Sequence, residues 1–383
     1  MENFSIQSPI QKDLPMPSVE DTAYPRIKSN PSQQALETLY TPTEEEMLLA
    51  QQRTRGEIAM LGLLVLLKTF QTVGYPVQVS QVPNAIISKI ASAIKSKRSG
   101  EDLSDYDASG TRRRHLKIIR EHLNITAFGT AAQQTMTAAM ETAVQAHHDL
   151  VDLINIALEE LIKERFELPG FTTLVQTARD VRAANNESIY QAVCESLEGS
   201  EHSQLNQLFY CPEGAITTLW NQVKQEPGKP NLGELQLLVE RLRWLQPLQV
   251  ASSVLAGLSE VKRLSFVTEA QALEANQMKE LPEPKRFTLT AALLQHRRSQ
   301  TLDDIAEIFI KRMKRMHYKA KEALEDYRIE SQQRTDELIS TLRQMLIALS
   351  SEADAADRLA AMNEVIGDRT GMVQVRVTRF APK

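Results

Sequence analysis

The sequence is short of cysteine, glycine, aromatic residues and positive charge, and each shortage removes a class of explanation. Two cysteines in 383 residues, Cys194 and Cys211, cannot make a disulfide-stapled scaffold. With His202 they are separated by seven and eight intervening residues, unlike the close Cys-x-x-Cys pairs of structural zinc sites, so no metal is expected. Only 14 glycines and 5% aromatics argue against a turn-rich all-β protein, while 42% apolar and 24% charged residues are ordinary globular usage. The longest apolar run, residues 58–67, is closed by Lys68, well below the roughly 18–20 residues that cross a bilayer; no membrane partner is expected. The start of the chain has no charged-then-apolar leader pattern, so the cytosol is the expected location. A net charge of −5 excludes a global basic field, and any nucleic-acid binding has to come from local patches. No phosphate loop, nucleophile–base pair or metal cluster stands out, so neither a cofactor nor catalysis is expected.

What is present is helical periodicity from end to end, giving an expected all-α fold: multidomain helical bundles, a long C-terminal helix and a disordered N-terminal arm. Residues 1–37 hold Pro9, Pro15, Pro17, Pro25 and Pro31 among polar residues with no apolar period, and read as that arm. A helical domain is expected over 38–168. It opens on Thr41 as N-cap, with Pro42 in the first helical position and Glu44 closing a capping box, and its first helix runs to Phe70, apolar nearly all round in its second half. A second helix carries Ile86, Ile90 and Ile94 at intervals of four; a third opens at Thr111 with Leu116, Ile119 and Leu123 facing inward. The break at Leu168, Pro169 and Gly170 marks a boundary to a second module over 169–226, and two prolines and a glycine between 225 and 230 mark a linker to a third over 231–281. After Pro282 and Pro284, residues 284–367 are read as a short helix, a fresh start at Thr301, Leu302, Asp303 and Asp304, and a long helix to about Leu349, followed by a last helix ending at Gly367. Residues 372–377 alternate apolar and polar like a strand, within a tail over 368–383.

Three basic patches interrupt this pattern. Arg112, Arg113, Arg114, Lys117 and Arg120 lie on the helix that opens at Thr111, with Arg113, Lys117 and Arg120 on one face; arginine forks pair with phosphate oxygens, yet a solvated helix face has the same composition. Lys95, Lys97 and Arg98 repeat the pattern after the second helix. Lys311, Arg312, Lys314 and Arg315, continued by Lys319 and Lys321, are the densest cluster, again either a phosphate surface or a solubilising face, with Arg297 and Arg298 one short loop away. Asp303 and Asp304 are adjacent, point apart on a helix and suit its first turn, so a catalytic acid pair is not expected. His147 and His148 have no partner acid in view, and Trp220 and Trp244 sit in apolar helical context that suits core packing better than base stacking.

An ordered series carries a resemblance: Tyr-Thr-Pro-Thr-Glu-Glu-Glu at 40–46, Arg-Thr-Arg-Gly at 53–56, Leu-Gly at 61–62, Tyr-Pro at 75–76 and Arg-Arg-Arg-His-Leu at 112–116. In order and spacing it is similar to the N-terminal DNA-binding region of Tn3-family transposases. Leu-Pro-Gly at 168–170 with Thr173 and Leu174, then Pro-Lys-Arg-Phe at 284–287 through Thr301 to His317, extend the likeness over roughly 38–367. The resemblance implies a helical protein that recognises the terminal inverted repeats of a transposon as double-stranded DNA, dimerises and joins two ends. In that family the strand chemistry belongs to a C-terminal ribonuclease-H-like domain whose three carboxylates hold divalent metal, and no such pattern is visible. The expectation is therefore a truncated, non-catalytic N-terminal portion, working as a homodimer or with full-length transposase. The competing expectation is a helical interaction protein acting as a dominant-negative regulator, and the resemblance favours phosphate contact for the patch at 112–120.

Overall fold

The computed structural model describes residues 17–248 and 252–367. The strand-like tail reading and the first part of the expected arm lie outside the described residues. Among these residues the fold is all-α, with sixteen α-helices and, in place of a sheet, one isolated bridge between Thr126 and Phe166. They divide into two compact units, one within residues 17–225 and 244–299, the other within 226–243 and 300–367.

The first unit is built on three apolar cores. The first surrounds α3 (Glu57–Val73), with α1 (Gln33–Leu39), α2 (Glu44–Arg53), α4 (Asn84–Ala93) and α5 (Gly110–Leu123) packed about it. Leu61, Leu63, Leu64, Val65, Leu66, Leu67 and Phe70 are all buried, as a helix apolar on every side requires. Lys68 is buried on that helix and reaches Glu46 at 3.2 Å, while Gln71 donates to the same carboxylate at 2.7 Å. Burial pushes the Glu46 carboxyl up, but the Thr43 N–H, the Gln71 amide and the Lys68 ammonium outweigh it and hold it below its ordinary range.

Two expectations here need correction. Thr43, two residues beyond Thr41, is the N-cap of α2, and the capping box closes with Glu46; Thr41 donates its hydroxyl to Leu36 O at 3.3 Å and finishes α1 instead. The first helix does not run to Phe70 without interruption, because Thr54 ends α2 and Gly56, at φ +91°, turns the chain into α3.

The second core joins α6 (Thr130–Ala143), α7 (Leu150–Lys163) and the first half of α8 (Phe171–Glu195). The arm reading fails from residue 17 onward: Tyr24 is buried, donates to Pro169 O at 2.8 Å and stacks on Tyr75 with ring centroids 5.2 Å apart, and Ala23 N donates to Asn155 at 2.8 Å. Pro169 is likewise no boundary, since Leu168, Leu174, Val175 and Ala178 enter the core that α6 and α7 build. The same α8 continues into the third core through Tyr190 and Val193.

That third core is completed by α9 (Gly199–Gln207), α10 (Leu219–Lys224), the end of α11 (Leu232–Leu245), α12 (Ser252–Ala256), α13 (Glu260–Ala272), α14 (Ala275–Glu280) and the first turns of α15 (Glu283–Leu349). Trp220 is fully buried and donates its indole N–H to Leu273 O at 3.0 Å; Trp244 packs partly buried on the same core. The fresh start at Thr301 does not occur. Pro284 sits in the first turn, where a missing N–H costs nothing, and the helix passes without a break through a buried Thr301. Arg297 and Arg298 therefore lie on the same helix as the later basic run, with no intervening loop.

In the second unit, Asn231 caps Glu234 N at 2.9 Å, and α15 continues from Gln300 to Leu349 with almost every side chain exposed. Asp354 caps α16 (Ala355–Ile366), and Gly367 at φ +45° ends it.

Candidate nucleic-acid interface

The sequence pattern of α5 fixes which of its cations can reach a ligand. His115, Leu116 and Ile119 form its buried face, so successive cations divide between the interior and the solvent. Ser109 caps the helix, accepting from Arg112 N at 3.2 Å. Asp107, just upstream, accepts from Val79 N at 2.9 Å and Ser80 N at 3.0 Å and lies 3.3 Å from Arg112 Nε. Burial raises the Asp107 carboxyl, but those two N–H groups and the Arg112 cation prevail and hold it below the usual carboxylate range. Arg112 also donates to Val77 O at 3.1 Å. Its guanidinium ties the start of α5 to the segment after α3.

Arg120 is committed in the same way at the other end. Its Nε donates to Glu167 Oε2 at 2.7 Å, with the glutamate side chain only 8% exposed. Around that pair the backbone is stapled: Thr126 N donates to Arg165 O at 2.9 Å, Glu167 N to Thr126 O at 2.8 Å and Leu168 N to Gly74 O at 2.9 Å. Arg112 and Arg120 are thus half-buried and committed to carboxylates of the protein. Arg113, Arg114 and Lys117 remain exposed and neighbour one another at helical spacings of three and four. Arg114 reaches only the Thr111 hydroxyl at 3.1 Å, and Lys117 only Glu121 at 4.0 Å across open solvent, a pair worth little.

The face is held rigid from behind. The Tyr106 ring lies over Gly62, and its hydroxyl is hydrogen-bonded to His115 Nδ1 at 2.5 Å. Burial, aided by the Arg114 cation, lowers His115 to about 4, so at neutral pH the imidazole is uncharged and free to accept this bond.

At the end of α4, Lys95 and Lys97 are exposed, while Arg98 is balanced by Asp102 at 3.2 Å and Glu57 at 3.9 Å. Glu57 also brings this end of α4 against the turn between α2 and α3, where Arg53 and Arg55 are exposed. Neither arginine was singled out among the basic patches, because they sit among acids and glutamines and form no run. Lys311, Arg312, Lys314 and Arg315 are exposed on α15 in the second unit, Lys311 paired with Glu307 at 2.5 Å.

The other sequence candidates separate cleanly. His147 does have an acid partner, Asp152, at 3.3 Å. Cys211 is exposed and Cys194 half-buried, and among the described residues no group of three or more His, Cys, Asp or Glu side chains is placed to hold a metal ion. Among the same residues no helix is long and apolar enough to cross a membrane.

Fold and surface together define a protein that is all-helical among the described residues and presents small clusters of exposed cations on a chain of net charge −5. Comparison with known proteins narrows the class. Residues 16–181 match a family described as a domain of unknown function, DUF4158. The transposase for transposon Tn501 of Pseudomonas aeruginosa is 23% identical over 72% of this chain and 28% of its own length. The transposase for transposon Tn1546 of Enterococcus faecium is 21% identical over 79% of this chain and 31% of its own, and that for transposon gamma-delta of Escherichia coli K12 is 22% identical over 69% and 27%. The chain is similar to these transposases at 21–23% identity, and it spans less than a third of their length.

Proposed function

We propose that the chain binds double-stranded DNA sequence-specifically, at the terminal inverted repeats of a transposon, in the bacterial cytoplasm and without strand chemistry of its own. The observation that carries this reading is α5: a helix anchored at both ends by Arg112 and Arg120 and from behind by His115, with Arg113, Arg114 and Lys117 left unburied and nearly unpaired on its outer side. Arginine forks at that spacing suit consecutive phosphates flanking a groove. That the relatives are transposases supports a DNA partner.

Fluorescence anisotropy with a duplex carrying the terminal repeat of the encoding element, and a scrambled duplex, at several salt concentrations tests it. Each phosphate contact adds about 0.9 to the salt slope, so Arg113→Ala/Arg114→Ala/Lys117→Ala should flatten it by between about 2 and 3. Equal affinity for both duplexes refutes the sequence-specific reading.

A second reading concerns assembly, and α15 favours it. Leu302, Ala306, Phe309, Met313, Met316, Ala320, Ala323 and Tyr327 recur at alternating steps of four and three, the seam of a coiled coil, and every one is exposed. We place a second copy of the chain on that seam; a full-length transposase offering an equivalent helix would pair there as well, which is how the protein would act as a regulator. Light scattering decides it: a dimer that Met313→Lys/Met316→Lys converts to monomer is expected, and a monomer at micromolar concentration refutes it.

A further inference from the structure

The turn between α2 and α3 and the end of α4 meet at one corner of the first unit, and the second of them lacks the residue that folding alone would choose. Arg53 closes α2, Thr54 seals it by donating both its N–H (3.1 Å) and its hydroxyl (2.6 Å) to Ala50 O, and Arg55 follows before Gly56 reverses the chain. No side chain approaches the Gly56 backbone, so the turn stands in open space with an arginine on either side of Thr54. Neither arginine has an acid partner among the described residues. The end of α4 is a Schellman closure, Ser96 N donating to Ala91 O at 2.9 Å and Lys95 N to Ser92 O at 3.1 Å. Its left-handed position, φ +55°, is filled by Lys95 where glycine would relieve the strain. A charged side chain kept where the backbone favours glycine points to a task other than folding.

Glu57 joins the two turns. It accepts the Ser96 hydroxyl at 3.3 Å and lies 3.9 Å from Arg98, so the first residue of α3 pins the end of α4 beside Arg55. Arg98 is balanced by Glu57 and Asp102, which leaves Arg53, Arg55, Lys95 and Lys97 as an exposed, uncompensated cluster drawn from two separate segments. We propose that this corner is a second phosphate-contacting surface, which grips the backbone of duplex DNA independently of base sequence, apart from the contacts of α5. It rests on the DNA-binding reading above. The cluster offers charge and donor forks on two turns and not along a helix face that could lie in a groove, so its contribution is affinity and register rather than choice of sequence.

The test uses the full chain, with repeat and scrambled duplexes over a range of salt. Arg53→Ala/Arg55→Ala should flatten the salt slope by about 2 and weaken both duplexes alike, on the order of tenfold at 0.1 M salt, leaving the preference for the repeat intact. Lys95→Gly separates function from folding: it should raise the melting temperature by relieving the left-handed strain and yet lower affinity. Glu57→Gln keeps an acceptor for Ser96, removes a negative charge from the corner and should tighten both duplexes severalfold. The proposal is overturned by an unchanged slope in the double variant while the unaltered chain binds DNA. A Lys95→Gly variant that gains stability at full affinity also overturns it, as does a loss confined to binding of phosphatidylglycerol vesicles. If the unaltered chain binds neither duplex, the DNA-binding reading itself falls.

Discussion

Arg120→Ala separates the two roles an arginine on α5 can have. Its guanidinium donates at 2.7 Å to a glutamate whose side chain is 8% exposed, while the arginine itself is 27% exposed. Removing one partner of a fully buried pair costs about 3–5 kcal/mol, chiefly the desolvation of the charge left behind. Water can follow the partly open arginine side, which brings the expected loss to about 2–3 kcal/mol. The loss should be cooperative with the bridge at Thr126 and Phe166, because Glu167 N donates to Thr126 O within the same staple. Urea unfolding followed by far-ultraviolet circular dichroism measures it, and Glu167→Gln closes a double-mutant cycle. The double variant should lose clearly less than the sum of the single variants, since the neutral amide no longer strands a charge. DNA titrations in conditions where the variant is folded should show an unchanged salt slope. The reverse pattern, full stability with a slope reduced by about one, would mean that Arg120 turns outward to a phosphate, and the division of α5 into inner and outer cations would be wrong.

Three further outcomes follow from buried groups. Burial lowers His115 and His148 each to about 4, so the unfolded chain takes up protons first as pH falls from about 6.5; stability should decline between about 6.5 and 4, by up to about 3 kcal/mol per imidazole. His115→Gln should shallow that decline in pH-dependent melts, and an identical profile refutes the assignment. Lys262 is buried with its ammonium donating to Val144 O at 3.1 Å, and burial together with the Arg182 cation lowers it to about 8. The folded chain gives up that proton before the unfolded one, so stability should rise between about pH 8 and 10.5; Lys262→Met should abolish the rise and, after the lost hydrogen bond, gain about 2 kcal/mol at pH 7. A destabilised, still pH-dependent variant would contradict this. Gly62→Ala would place a methyl 2.6 Å from Tyr106 Cε2 and should cost about 1–3 kcal/mol by overpacking, whereas Gly56→Ala, strained at φ +91° but meeting no neighbour, should cost about 1 kcal/mol; equal melting temperatures for the two would count against the packing of Tyr106 over α3.

Helix existence was legible wherever periodicity was strong, and helix ends were legible only where one local signal had no rival. Leu116 and Ile119 of α5 face inward as their spacing requires, and the all-round apolar α3 is central. At the start of α2 two threonines compete; the box closed on Thr43 and Glu46 because Glu46 is also the carboxylate that neutralises buried Lys68, a long-range demand that no local pattern contains. Thr301 with two acids after it has the composition of a helix start, but a helix already propagating from Pro284 has no reason to stop there, since extension is far cheaper than new nucleation. The proline-rich stretch around Tyr24 lacks a period because it is no helix for most of its length; it is ordered one side chain at a time, through Tyr24, Ala23 and Tyr75, which a search for amphipathic faces cannot register.

The candidate interface was legible as composition but not as geometry. Counting cations found the triple arginine of α5, yet a helix necessarily distributes such a run around its axis, and which members turn inward depends on acids far away in sequence: Asp107 for Arg112, Glu167 for Arg120. Arg53 and Arg55 escaped for the converse reason. They are diluted by neutral neighbours along the chain and gain density only when Glu57 brings the end of α4 beside them. In an acidic protein, a local positive field arises less from how many cations a segment holds than from where the paired carboxylates are. Both surfaces obey that rule, since in each the acids are spent on buried or flanking arginines and the cations left over stand together in solvent. Salt slopes measured for variants of the two surfaces should therefore add, because the patches share no partner and no carboxylate.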